Sequence, residues 1–300
     1  MMNTGTTTMR DFTADHAWLS INTATLRRQH GQERPLSDIL DDCARNGIRA
    51  VSPWRDQVAA AGLSAISKLV KTHGLELSGY CRGGMFPAAD AAGLQAAHDD
   101  NRRAVDEACE LNAACLVLVV GGLPGALAGK AAHKDIVLSR SQVHDGIAAL
   151  LEYARACKMP LAIEPLHPLY AADRACINTL EHALDVCDAL DPSKTDALGV
   201  ALDVYHVWWD PKLEAQIRRA GKERLLAFHV CDWLTPTTDL LNDRGMMGDG
   251  VIAIPKIRGW VEAQGFAGYS EVEIFSTGNW WQRGSGEVLD TCIARHCSAV

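Results

Sequence analysis

The sequence predicts an α/β chain folded as a single (β/α)8 barrel. Eight short segments rich in Val, Ile, Leu and Ala alternate with amphipathic segments of helical length. Such alternation builds a parallel sheet, because each helix carries the chain back to start the next strand in the same direction. Eight is the number of strands that closes a barrel, and 300 residues suit a fold that typically needs roughly 250. An open doubly wound sheet is the rival arrangement, and the lack of a GxGxxG after the first strand argues against it. With no low-complexity tract or Pro- or Ser-rich linker, the expected organisation is a polar N-terminal tail over 1–15 and one barrel over 16–300.

In chain order, the first strand is expected at Trp18–Thr23, followed by a helix at Leu36–Asn46. The second strand, Ile48–Pro53, leads into a helix over Val58–His73, and the third is expected at Leu75–Tyr80. A helix at Asn101–Leu111 and a fourth strand at Cys115–Val120 come next. The following helix, Ile136–Cys157, carries Val143, Ile147, Leu150 and Leu151 at three- and four-residue spacing, the mark of one buried face. A fifth strand is expected at Leu161–Glu164 and a helix at Leu180–Leu190. The sixth and seventh strands, Leu198–Tyr205 and Leu225–Val230, are near-continuous apolar runs, as strands covered on both faces should be. Helices at Pro255–Gln264 and Glu287–His296 flank the eighth strand, Glu271–Phe275. Asn46-Gly47, His73-Gly74 and Gln264-Gly265 place a glycine where a helix ends in the left-handed region. The longest aperiodic segment, Asp232–Gly250, is a candidate active-site loop.

Composition narrows the function classes. A hydrophobic fraction of 48% with 22% charged residues is that of a soluble globular chain. The net charge of −8 speaks against a nucleic-acid partner, which needs a basic face. No apolar run reaches the roughly 20 residues of a membrane span, and the N-terminus lacks the apolar centre of a signal peptide. The ten cysteines are scattered and form no CxxC, which suits a reducing cytoplasm.

Four of the strands each deliver one hard or borderline metal ligand near the C-terminal end: LAIEP (Glu164), VALDVYH (Asp203), LAFHVCD (His229) and SEVEIF (Glu273). In a (β/α)8 barrel those ends share one mouth, so strands five to eight would present three carboxylates and one imidazole to one ion. The set suits Mn2+, Mg2+, Co2+ or Zn2+. A histidine after a strand is by itself usually a satisfied polar group, but an acid in an apolar strand is costly to bury unless paired or metal-bound. Four such positions in succession favour a single divalent metal site.

The stretches IEPLHP, LDVYHVWWD, FHVCDW with DRGMMGDG, and EVEIF resemble the xylose-isomerase-like superfamily of TIM barrels. NTAT, GIRAVSPW and LSGYCRGGMF extend the likeness over nearly the whole chain. The superfamily includes sugar phosphate isomerases and epimerases, tagatose/psicose 3-epimerases, hydroxypyruvate isomerases, inosose dehydratases and an endonuclease IV branch. The resemblance implies a metal-dependent sugar isomerase or epimerase of carbohydrate metabolism, forming an enediolate from a ketose, sugar phosphate or related hydroxy-carbonyl compound. It also implies that Glu164, Asp203, His229 and Glu273 are the metal ligands and that Glu164 and Glu273 act as the acid/base pair. His206 and Arg244 would bind substrate, and the family often forms dimers or tetramers. Glu271 rivals Glu273, since residues two apart share a strand face; the strand-end position and the family's E-x-F pattern favour Glu273.

Further candidates for substrate contact rest on position. Arg82, before Gly83-Gly84, is suited to a carboxylate or phosphate, or to a surface ion pair. His167 lies near Glu164, and Asp232 is placed for a supporting hydrogen bond or an ion pair with Arg244. Trp54, Trp208, Trp209, Trp280 and Trp281 offer aromatic walls, of which one or two are expected in the pocket. Three other readings stay open: a lyase or dehydratase using the same site, a non-catalytic carbohydrate-binding barrel, and the endonuclease branch, which would need a basic groove and extra histidines.

Overall fold

A computed structural model describes residues 9–300. Residues 1–8 of the expected tail lie outside the described residues. Eight parallel strands form the barrel: β1 Leu19–Asn22, β2 Ala50–Ser52, β3 in two pieces (Glu76–Leu77 and Tyr80–Gly84), β4 Leu116–Val119, β5 Leu161–Ile163, β6 Leu198–Asp203, β7 Leu225–Val230 and β8 Ser270–Val272. Each pairs with its chain neighbours, and β1 pairs with β8, so the two pieces of β3 are the ends of the sheet. The ring closes there. Ser78 N–H donates to the Val51 carbonyl, and Cys81 N–H to that of Pro53 on one side. Tyr80 N–H donates to the Cys115 carbonyl on the other.

The third strand differs most from expectation, running on to Gly84 instead of ending at Tyr80. A register shift between Cys81 and Gly83 marks a bulge against β4. Gly84, at φ +114°, approaches β4 so closely that a Cβ would lie 2.1 Å from the Val119 carbonyl oxygen. Only glycine fits, and a glycine pair in sequence reads as a loop. Beyond β6 the chain also departs from expectation. Val204–Val207 is a helical turn rather than more strand, capped by the Asp203 carboxylate, which accepts the Tyr205 N–H at 2.8 Å.

The outer helices are α1 Leu36–Arg45, α2 in two pieces (Arg55–Ala61 and Leu63–His73, parted at Gly62), α3 Ala91–Glu110, α4 Ile136–Cys157, α5 Leu180–Leu190, α6 Leu213–Arg224, α7 Ile254–Ala263 and α8 Ser285–Ala299. Helix α3 starts ten residues before the expected Asn101, capped by Asp90, whose carboxylate accepts the Gly93 N–H. Helix α6 has no counterpart among the sequence-derived helices. Its buried side is Leu213, Ile217, Ala220 and Arg224, and Gly221 breaks its helical geometry. A charged residue at an inward position and a glycine beside it hide the apolar period.

Side chains alternate between the two faces of each strand. Leu161, Ile163, Leu198, Val200 and Leu202 join the large core beneath the helices, whereas Val117, Ala162, Ala201 and Ala227 form a separate cluster inside the barrel. Two residues further along the same parity stand Glu164, Asp203 and His229. Thus the pleat that buries small residues in the barrel aims the polar ones into its mouth. No helix of the described residues is long and apolar enough to cross a membrane. All ten cysteines are free.

Arg224 shows how a charge is kept under this layer. It is fully buried, donating at 2.7 Å to the Asp191 carboxylate and the Leu198 carbonyl and at 3.2 Å to the Cys187 carbonyl. Asp191→Ala would strand this guanidinium. We expect a loss of about 3–5 kcal/mol of stability, read as a lowered midpoint in urea unfolding; an unchanged midpoint would refute the role of the pair.

Candidate metal centre and active site

Glu164 follows β5, Asp203 ends β6, His229 lies within β7 and Glu273 follows β8. Each offers one ligand atom, and these atoms lie within 4.8 Å of one another. All four side chains are buried, Asp203 and His229 completely. The His229 Nδ1 is 3.0 Å from Glu164 Oε1. Across the ring, Nε2 has no hydrogen-bond partner among the described residues and faces Glu271 Oε1 at 3.5 Å.

This separates the two glutamates of β8. Glu271 pairs in register with His229 and sits one layer deeper, accepting from Asn22 Nδ2 and Ser78 Oγ, each at 2.8 Å. Its carboxylate therefore orients the imidazole, leaving Nδ1 toward the cluster. Glu273 faces the cavity. Periodicity alone could not distinguish them because both point inward; depth along the barrel does.

Arg244 is the cation nearest this acid cluster. Its Nη1 is 3.1 Å from both Asp203 Oδ2 and Glu273 Oε2, and its guanidinium lies 4.4 Å from the Tyr205 ring centroid and 5.1 Å from that of Phe275. Its Nη2 is 3.2 Å from His206 Nε2. His206 Nδ1 also meets the His167 N–H at 3.2 Å. A neutral imidazole has one acceptor nitrogen, so only one of these two contacts is a hydrogen bond. Burial, then the Arg244 charge, hold His206 well below the usual imidazole range.

Negative charge is crowded here. Burial pushes Asp203 up to about 6, although Arg244 acts against it. Burial, again opposed by Arg244 and reinforced by Glu164, pushes Glu273 up to about 7. Burial opposes a charge on His229, yet Glu271, Glu164 and Glu273 hold it well above its usual value. Four buried carboxylates crowd together here with Arg244 as their one permanently charged partner, an excess of negative charge that a divalent cation would offset. The donor set, its spacing and this excess fit a metal; Glu164, Asp203, His229 and Glu273 would hold it.

A cavity of about 130 Å3 opens above the cluster, lined among others by Glu164, Glu273, His206, Arg244, Arg82 and Trp54. Two other expected substrate contacts are not in its wall. The His167 ring packs against Trp233 at a tilt of 31°, and only its main-chain N–H reaches His206. Asp232 is outside the cavity lining, and the ion pairs of Arg244 go to Asp203 and Glu273 instead. The Asp232 carboxylate accepts the N–H groups of Trp233, Gly248, Gly250 and Ile252, each at 2.9 Å. It thereby shapes the Asp232–Gly250 segment, which is a two-stranded ribbon (Asp232–Trp233 with Arg244–Gly245) rather than a plain loop. Of the five tryptophans singled out, Trp54 lines the cavity; its indole N–H donates to Asn22 Oδ1 at 2.7 Å. Trp281 packs behind it against Phe275. Tyr170 and Arg174, from the segment after β5, also line the cavity and went unread, because that segment has no strand or helix period.

The family model described as the xylose isomerase-like TIM barrel matches residues 40–292. A crystal structure of a protein from Sinorhizobium meliloti 1021 is 57% identical, covering 94% of this chain and 98% of that one, with a TM-score of 0.87. The IOLI protein with a binding zinc atom is 17% identical over 91% of this chain and 94% of its own, with a TM-score of 0.75. D-Psicose 3-epimerase with D-tagatose from Clostridium cellulolyticum H10 is 15% identical over 91% and 97%, at 0.68. The latter two share the fold. No curated protein matches the chain.

Two outcomes test the centre. Protons compete with metal for Asp203 and Glu273, whose raised values leave them increasingly protonated as pH falls through about 7 and then 6. Mn2+ affinity measured by calorimetry should therefore weaken from pH 7.5 to pH 5.5, with proton release on binding; a pH-independent affinity would count against this donor set. Glu271→Gln should lower Mn2+ affinity by roughly 10–100-fold while leaving the circular dichroism spectrum unchanged. Wild-type affinity in that variant would remove its orienting role.

Proposed function

The chain belongs to the xylose isomerase-like TIM-barrel family, and from that premise we propose a divalent-metal-dependent isomerase or epimerase of a small hydroxy-carbonyl compound. The observation that carries the reading is the pair Glu164 and Glu273. Both carboxylates line one small cavity, come from β5 and β8, and belong to a cluster whose ligand atoms lie within 4.8 Å of one another. A bound divalent ion supplies polarisation of the substrate carbonyl and neighbouring hydroxyl, which acidifies the C–H between them.

The protein's own groups do the rest. One glutamate takes the proton from that carbon, and the C–H electron pair moves into a new C=C bond as the carbonyl becomes an oxyanion. The other glutamate returns a proton, either to the former carbonyl carbon, the hydroxyl proton passing to the oxyanion so that carbonyl and hydroxyl exchange positions, or to the opposite face of the same carbon, which inverts it. Arg244 keeps Asp203 and Glu273 in place and adds a fixed positive charge beside the developing oxyanion. Trp54, Phe275, Leu166 and Val119 exclude water from the reacting carbon. The epimerase and the zinc-holding protein with this fold support the reading.

Metal-loaded protein incubated with a panel of ketoses and ketose phosphates in D2O should incorporate deuterium at the carbon next to the carbonyl. Glu164→Gln and Glu273→Gln should each lower turnover by about 100-fold or more with unchanged folding. Full metal loading without exchange across the panel would reject isomerisation, and a product lighter by one water would place the chemistry with the lyases.

A further inference from the structure

The cavity wall carries both signs of charge. Glu164 and Glu273 belong to the acid cluster. Arg82, from the glycine-bounded end of β3, and Arg174, from the segment after β5, stand in the remaining wall with Tyr170. Arg174 Nε is buried without a hydrogen-bond partner among the described residues, and Asp173 lies at 3.9 Å, outside hydrogen-bond reach. The Tyr170 hydroxyl is likewise buried and unpartnered, on a residue only 6% exposed. Among the described residues Arg82 forms no ion pair; its guanidinium lies over the Trp54 ring, 5.8 Å from the centroid. Burial disfavours its charge, and the neighbouring Arg174 disfavours it further.

Donors left without acceptors in a small, partly apolar cavity are costly, and two like charges facing it more so. Other arginines near this face are neutralised: Arg55 by Asp100 and Glu107, Arg27 by Asp56, and Arg244 by Asp203 and Glu273. Arg82 stands apart from that pattern, and Arg174 has only a long contact to Asp173, at 3.9 Å. A negatively charged, acceptor-only group would offset these donors, and guanidinium forks match the oxygens of carboxylate and phosphate. Such a group is drawn to the arginines, because Glu164 and Glu273 repel it. Met85, Leu127, Leu166 and Leu241 in the same wall lower the local dielectric and strengthen the attraction.

We propose that the substrate is an acid: a hydroxy-carbonyl compound whose carboxylate or phosphate is held by Arg82, Arg174 and Tyr170 while its reacting end lies at Glu164 and Glu273. The orientation of the reacting end rests on the function proposed above; the anion subsite rests on its own three donors.

Calorimetric titration of Mn2+-loaded protein with gluconate, glucitol 6-phosphate and neutral glucitol separates the possibilities. At least one acid should bind about tenfold or more tighter than glucitol, and which acid does so identifies the oxyanion. Arg82→Met and Arg174→Met should each remove most of that preference without weakening Mn2+ binding. Equal affinities for all three compounds, no binding of either acid, or a preference that survives both substitutions would overturn the proposal. Should either variant fail to fold, KCl decides on the intact protein: acid binding should weaken with added salt while glucitol binding holds. Salt-independent acid binding would refute the subsite. Mn2+ titration on its own keeps the two readings apart. A protein that binds Mn2+ but prefers no acid loses the subsite and keeps the metal centre; one that prefers an acid but binds no Mn2+ does the reverse.

Discussion

Buried carboxylates from β5, β6 and β8 converge to within 4.8 Å of one another, and the rest of the site is arranged around their mutual repulsion. Burial drives protons onto two of them, Asp203 and Glu273, both of which are shifted upward. The positions that offset this are fixed by remote parts of the chain. Asp232 gathers four backbone N–H groups and so folds the ribbon that carries Arg244. Arg244, flanked by Tyr205 and Phe275, then reaches Asp203 and Glu273. Asp232 thus acts on the ligands through the ribbon without touching them.

A second support lies below the cluster. On the side of the barrel formed by β1, β3 and β8 the interior is polar: Asn22 and Ser78 donate to Glu271, and Ser20 pairs with Ser78 at 2.7 Å. On the β4 to β7 side it is apolar and small, with Val117, Ala162, Ala201 and Ala227. The asymmetry has a function. The polar side holds Glu271 in one orientation, and Glu271 aligns the His229 ring so that Nδ1 meets the other ligands. Replacing the small residues opposite with larger ones would intrude on the same space from the side where nothing polar can adjust.

Residues on regular elements were legible in the sequence, and residues placed by irregular ones were not. Glu164, Asp203, His229 and Glu273 could be found because a strand end fixes both direction and height, so four strands of one barrel imply one mouth. Trp54 and Arg82 follow the same logic at β2 and β3. The supporting part of Asp232 was harder to read, because charge alone cannot tell a substrate contact from a loop-shaping acceptor; the glycines of GMMGDG were the available hint, as backbone N–H groups are most accessible there. Arg174 and Tyr170 were missed since the turn after β5 has no period to read. Helix α6 was missed because its inward row ends in Arg224, and Glu271 could not be ranked against Glu273 because both have the same parity.

Arg244 also bears on how the centre handles a metal. A guanidinium stays charged at every relevant pH, so Asp203 and Glu273 retain one permanent positive neighbour whether or not an ion is bound. That neighbour keeps them from repelling one another out of place, which preserves the donor geometry in the metal-free protein. It also reduces the negative charge that an incoming ion sees, so affinity rests on the exact fit of four donors more than on bulk charge. Preorganisation and restrained affinity come from the same side chain. Of the four donors, Glu164 and Glu273 line the cavity, whereas Asp203 and His229 are fully buried behind them, so the two glutamates are the donors on the open side.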